Sequence, residues 1–265
     1  MSGSSAFRVS ESGGARPDWI GQISVCHAVL VPFDSSAAQS QQPAYVLGID
    51  TCGPTGSVAL GQWTAEEVEV LSLVVLEGRT YSTTLVTAIA DLLAKHGMVL
   101  KEVSCLVVVN GPGSFTGVRV GVSAAKGLAE GLGIPIVAVS RLEVLARKGR
   151  VETAALDAHR HEVYLRLEGR ELLAGEAELA AFQRPGQVAV CDPDALALLQ
   201  ANWPSAALID VSAPNAADAL HLAAPLVHSR QFADISLLDG HYLRRSDAEI
   251  FGDSGAARIA GVPHS

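Results

Sequence analysis

The sequence predicts a mixed α/β fold in two lobes, on three observations: a β-meander near its ordered start, a helix–strand alternation after it, and a reset of pattern near Gly149. With 265 residues the chain exceeds a usual single domain and can bury a sizeable core. The expected division is a low-complexity extension over 1–43, a first lobe over 44–148, a second lobe over 149–250 and a tail over 251–265.

The extension is rich in Ser, Gly, Gln and Pro and carries neither helical nor strand period, so it reads as a loose segment. Order is expected from Tyr45, where YVLGID is an apolar run ending in an acid. SVALGQW and EEVEVLSLVVLEG then read as two strands joined by a polar turn, which completes a three-stranded meander. From Thr83, the positions Leu85, Ile89, Leu92 and Leu93 recur at helical spacing, and Gly97 is placed to end that helix. CLVVV is a fully buried strand, a second helix runs from about Gly117 to Gly131, PIVAVS is the next strand and RLEVLARKG a short helix. After Gly149, VETAALDAH and HEVYLRLEG read as a hairpin, followed by short mixed elements around AFQRPGQVAVCD and a helix from about Ala216 to Ser229.

Composition narrows the function. Hydrophobic residues make up 49% and charged residues 18%, which excludes a disordered chain. The net charge of -9 has the wrong sign for a stand-alone nucleic-acid binder, because such binding relies on Lys and Arg displacing counterions from phosphates. Cys26, Cys52, Cys105 and Cys191 lie far apart without a CxxC pair, so neither a zinc knuckle nor a disulfide framework is encoded, and a reducing cytoplasm fits. The apolar stretch Ile23 to Phe33 is broken by His27 and lacks a basic region before it, unlike a signal peptide or membrane span.

The segment NGPGSFTGVRVGVSAAKGLAEGLG is the most informative. Pro112 between Gly111 and Gly113 makes a constrained turn, Ser114 or Thr116 is placed to cap the following helix, and a helix N-terminus beside a Gly-rich loop can receive an anion. Gly117, Gly121 and Ala125 fall four apart and give that helix a nearly flat face for close packing. The loop lacks the GK[ST] of a Walker site and the strand-ending acid of a dinucleotide fingerprint, and Ser114 is not flanked as in a nucleophile elbow.

GIDTCGPTGSVAL at the start, VVVNGPGSFTGVRVGVSAAKGLAEGLGIPIVAVSRLEVLA in the middle, DAHRHEVY and HYLRRSDAE further on together resemble the TsaB (YeaZ) family of tRNA threonylcarbamoyladenosine biosynthesis proteins. The resemblance runs from about Tyr45 to Glu249, so residues 1–43 would also be explained by a start assigned too far upstream. It implies two ribonuclease-H-like lobes of the actin, sugar-kinase and Hsp70 superfamily. It further implies a non-catalytic subunit that pairs with a TsaD-type paralogue, which carries the metal and transfers threonylcarbamoyl to the adenosine beside the anticodon. A TsaE-type ATPase completes such an assembly, and tRNA is reached only through the complex. Because a flat apolar face left open is costly, self-pairing through the same helices when the partner is missing is an alternative that the sequence leaves open. The implied pairing surface is the two first-lobe helices, with Leu85, Ile89, Leu92, Gly117, Val118, Gly121, Val122 and Ala125 as contacts.

The resemblance also places Asp50 and Thr51 in the superfamily's first phosphate-binding turn, and with Gly111, Gly113 and Ser114 they form a candidate vestigial nucleotide site. No intrinsic cofactor or metal is expected, and ATP, if used, belongs at the partner interface. Two positions depart from the family pattern: Tyr81 precedes Ser82 where a His is usual, and His159 stands where Arg is common. The paralogue's HxxxH motif and the peptidase motif HExxH are both absent, and His159 and His161, alternating on an expected strand, read as a solvated face rather than a metal site. Asp157 reads as a strand-end or hairpin cap, and Glu66, Glu67 and Glu69 as a solvated strand edge. Two other readings share this frame: an independent ATPase or kinase, and a glycoprotease-like peptidase.

Overall fold

A computed structural model describes residues 44–64, 67–78 and 80–244. The first expected extension, the tail over 251–265 and Glu66 lie outside the described residues.

The meander forms as β1 (Ala44–Asp50), β2 (Thr55–Trp63) and β3 (Val68–Glu77), paired antiparallel in sequence order. Helix α1 (Tyr81–Lys95) follows, and β4 (Val103–Val109) then inserts parallel to β1, with β5 (Ile136–Val139) parallel beyond it. Between them runs α2 (Phe115–Leu132). The first sheet therefore has the order β3-β2-β1-β4-β5. Strand β4 reads as five consecutive buried apolar residues because helices cover both faces of the sheet at that point, α2 on one and a late helix on the other.

After α3 (Arg141–Gly149), β6 (Ala154–Asp157), β7 (Val163–Leu167) and β8 (Arg170–Ala174) form a second meander. Helix α4 (Glu176–Ala181), β9 (Gln187–Val190), α5 (Pro193–Asn202), β10 (Ala207–Asp210) and α6 (Ala216–His228) complete the order. The second sheet runs β10-β9-β6-β7-β8, with β9 parallel to β6 and β10 parallel to β9. Read from its own meander, this is the strand order and sense of the first sheet over again. Its core centres on Trp203, whose indole N–H donates to the Leu179 carbonyl at 2.9 Å.

The helices do not respect the expected division near residue 149. Helix α3 packs on β6, β7 and β9 of the second sheet, whereas α6, expected in the second lobe, lies across all five strands of the first. The reason is geometric. Leu220 seats where Gly48 and Gly61 remove side chains from the sheet, and Ser57 Oγ accepts the Ala216 amide at 2.9 Å to start the helix there. Lys148 of α3 and Asp218 of α6 pair at 2.7 Å, tying the exchanged helices together.

Candidate functional site: two glycine loops and the helices they launch

The DTCGPTG turn after β1 and the GPGSFTG loop after β4 sit on each other, because β1 and β4 are adjacent parallel strands ending at the same edge. The Ser114 amide donates to the Cys52 carbonyl at 2.8 Å, and Thr51 Oγ1 donates to the Gly117 carbonyl at 2.6 Å. A side chain at Gly113 would strike the Cys52 carbonyl, one at Gly117 the Thr51 carbonyl, and one at Gly121 the Thr51 hydroxyl. Ser114 is the cap of α2, its hydroxyl accepting the Gly117 amide at 3.4 Å. The peptide bond between Gly111 and Pro112 is cis.

Asp50 is buried, and its Oδ1 accepts the Cys52 amide at 2.8 Å. Burial raises the Asp50 carboxyl above its ordinary range, and the nearby Arg141 guanidinium only partly offsets that. Arg141 is itself buried against Gly53, with its Nε unpartnered. Cys52 Sγ donates to the Val109 carbonyl at 3.2 Å, and burial pushes its thiol well up, which makes it an unreactive core group. Tyr81, one departure from the family pattern, is buried and donates its hydroxyl to the Gly53 carbonyl at 2.9 Å, clamping the first turn from α1. The five residues Asp50, Thr51, Gly111, Gly113 and Ser114 thus come together, but with much of their polar capacity spent on each other's loops.

The residues expected to meet a partner are a correction. Leu85, Ile89 and Leu92 of α1, and Gly117, Val118, Gly121, Val122 and Ala125 of α2, are all buried within this chain. Their spacing is that of a stripe facing the sheet, and the flat Gly117–Gly121 face receives Thr51 rather than another helix. The outward faces hold other residues. Val86 is 65% exposed on α1 with Ala90 and Ala94 in the same row, and on α2 Ser123, Gly127 and Gly131 are exposed, with open space in front of both glycines.

A second correction concerns the histidines. His159, Arg160 and His161 lie in the turn between β6 and β7, all three with φ near +60°, rather than alternating on a strand. His159 Nδ1 lies 2.7 Å from Asp157 Oδ2 and its amide donates to Asp157 Oδ1 at 2.8 Å, so Asp157 closes the hairpin. Among the described residues no group of three His, Cys, Asp or Glu side chains converges as a metal site, and no helix is long and apolar enough to cross a membrane. An open groove of about 810 Å³ lies away from both loops, lined by Glu67, Arg147, His221 and His228 among others.

Sequence reasoning missed Arg141, Phe115, Arg119 and Tyr242. Arg119 lies 3.6 Å over the Phe115 ring and 5.7 Å from that of Tyr242. The i, i+4 spacing of Phe115 and Arg119 was legible as a helix pair, whereas Tyr242 is brought in from 123 residues further along.

Two five-stranded sheets of one order, exchanged helices and a Gly-rich loop closed on the first hairpin turn define a duplicated mixed α/β protein. Residues 75–200 match the family described as TsaD, tRNA N6-adenosine threonylcarbamoyltransferase. The tRNA threonylcarbamoyladenosine biosynthesis protein TsaB of Bacillus subtilis is 39% identical over 123 residues, 45% of this chain and 52% of the relative. TsaB of Haemophilus influenzae is 33% identical over 156 residues, 56% of this chain and 64% of the relative. The solved structure of YeaZ from Pseudomonas aeruginosa is 25% identical with a TM-score of 0.60, covering 76% of this chain and all of that one. The chain is similar to proteins of the TsaB/YeaZ family. It spans between about half and two thirds of the length of these curated relatives.

Proposed function

We propose that this chain is a non-catalytic, cytoplasmic subunit required for threonylcarbamoyl transfer to the adenosine beside the anticodon of tRNA, acting by docking onto a TsaD-type catalytic paralogue. The observation that carries the reading is the outward face of α1 and α2, where exposed Val86 and the small-residue row of Ser123, Gly127 and Gly131 leave room for close helix packing. The relatives' names supply the pathway, and a TsaE-type ATPase and tRNA would join through the assembled complex. The same face supports self-pairing when the paralogue is missing. Each sheet with its order 3-2-1-4-5 is read as a ribonuclease-H-like lobe of the actin, sugar-kinase and Hsp70 superfamily.

That superfamily implies a nucleotide and its magnesium at the Asp50 turn. These residues do not fit the group: Asp50 is buried and committed to the Cys52 amide, burial raises its carboxyl above the ordinary range, and Gly113 and Ser114 fill the turn's mouth. We read any ATP as belonging at the interface with the partner. An independent ATPase would overturn this reading through ATP turnover by the purified chain that Asp50→Ala removes. The direct test is depletion of the protein followed by measurement of threonylcarbamoyladenosine in total tRNA. A clear fall is expected, and an unchanged level would refute the proposed role.

A further inference from the structure

Residues 232–244 form neither helix nor strand, yet they cross from the first sheet's helices to the second sheet on a dense set of contacts. On the first side, Lys126 Nζ of α2 donates to the Leu238 carbonyl at 2.9 Å, and the His241 amide donates to the Asn110 carbonyl at 2.6 Å. Gly111 leaves room for the His241 carbonyl, and Gly240 lies against Val118 of α2. Tyr242 then tilts onto Phe115 with ring centroids 5.2 Å apart, beneath the Arg119 guanidinium. On the second side, His241 Nε2 lies 3.0 Å from Glu171 Oε2, and Arg244 pairs with Glu162. Glu171, at the start of β8, is only 8% exposed and also accepts Ser140 Oγ at 2.6 Å and Arg166 Nη1 at 3.1 Å.

Resting on the docking role proposed above, we propose that residues 238–244 are a latch through which the second sheet controls the docking face, the Glu171 and Glu162 ion pairs fixing how Phe115, Arg119 and Tyr242 are presented to the catalytic paralogue. The reasoning is mechanical. A segment without its own hydrogen-bond ladder is held only by what it touches, so its two anchored ends share one stability. Its first end meets the opening turn of α2, whose outward row continues into Ser123 and Gly127. Aromatic and arginine side chains are the usual energetic anchors of protein interfaces, and Arg119 forms no ion pair among the described residues, which leaves its charge for an acidic group of the partner.

The test compares Glu171→Ala, Arg244→Ala and Tyr242→Ala in the full chain, with Val86→Arg as a probe of the docking face itself. Hydrogen exchange of the Gly117 and Val118 amides and titration with the purified TsaD-type paralogue are both read. Each latch variant is expected to speed exchange at those amides and weaken paralogue binding by about tenfold, with the Glu171→Ala/Tyr242→Ala double variant no weaker than either alone because both act through one element. Arg244→Ala, on the segment itself, reports on the latch if Glu171→Ala fails to fold. Unchanged exchange and affinity in folded latch variants, with binding lost in Val86→Arg, would overturn the latch and leave the docking face standing. Unchanged binding in Val86→Arg would overturn the docking face, and a lack of faster exchange in the latch variants would then remove the latch as well.

Discussion

Helix α2 carries two stripes of small residues, and single residues separate their roles. Gly117 meets the Thr51 carbonyl, a backbone oxygen that cannot rotate away, while Gly127 faces open space. Gly117→Ala should therefore destabilise the chain by about 1–3 kcal/mol through overpacking. Gly127→Ala should stabilise it by roughly 0.5–1 kcal/mol, because a mid-helix glycine gives up backbone entropy for no packing gain. Urea unfolding of the two variants checks both signs, and equal destabilisation would contradict the assignment of the stripes. The sequence shows that both stripes exist but not which one turns inward, since a small residue permits close approach of the chain's own backbone as readily as that of another chain. That is why Gly117, Gly121 and Ala125 pointed to a partner when Thr51 is the neighbour of both glycines and Ala125 is buried on the same stripe.

Among the elements, those legible in advance have either a long apolar run or a clear helical period. β1 and β4 are buried on both faces and read as continuous apolar strands, and Leu85, Ile89, Leu92 and Leu93 mark α1 by spacing alone. The second sheet was harder to read because β9 and β10 are four residues each and α5 has only Ala195 and Leu199 buried, too little to set a period. Helix α6 was legible as a helix but not by address, since nothing local in AADALHLAAPLVH says which sheet it covers. Leu220, fully buried over Gly48 and Gly61, makes the address measurable. Leu220→Ala is expected to cost about 2–5 kcal/mol. In native-state hydrogen exchange the loss should appear in β1, β2 and β4 before it reaches β6 and β7. Protection lost first in the second sheet would show that α6 belongs there instead.

At the scale of the molecule, the exchange of α3 and α6 means that neither sheet has all of its covering helices in the same contiguous half of the chain. A fragment of residues 44–150 keeps all five strands of the first sheet but exposes the face that α6 covers, so it should aggregate or unfold without cooperativity, whereas 44–244 should melt cooperatively. Calorimetry of the two fragments tests this. The junction also carries a pH dependence whose sign follows from Glu171. Burial alone would raise its carboxyl, but hydrogen bonds from His241 and Ser140 and the charges of His241 and Arg166 outweigh burial and hold it below the ordinary glutamate range. A carboxyl lowered on folding contributes stability that is complete above its unfolded value and is lost as pH falls through its folded value. The other charges around it are Glu143, 3.9 Å from Arg166, and the Arg244–Glu162 pair on the same segment. Asp50 has the opposite sign, because its raised carboxyl favours the folded state on the acid side and loses that advantage as pH rises. Glu171→Gln should therefore lower the melting temperature at neutral pH, flatten its fall in acid, and converge with the parent chain once Glu171 is protonated in both states. Parallel melting curves for the two proteins across the acid range would show that Glu171 does not hold the junction through its charge.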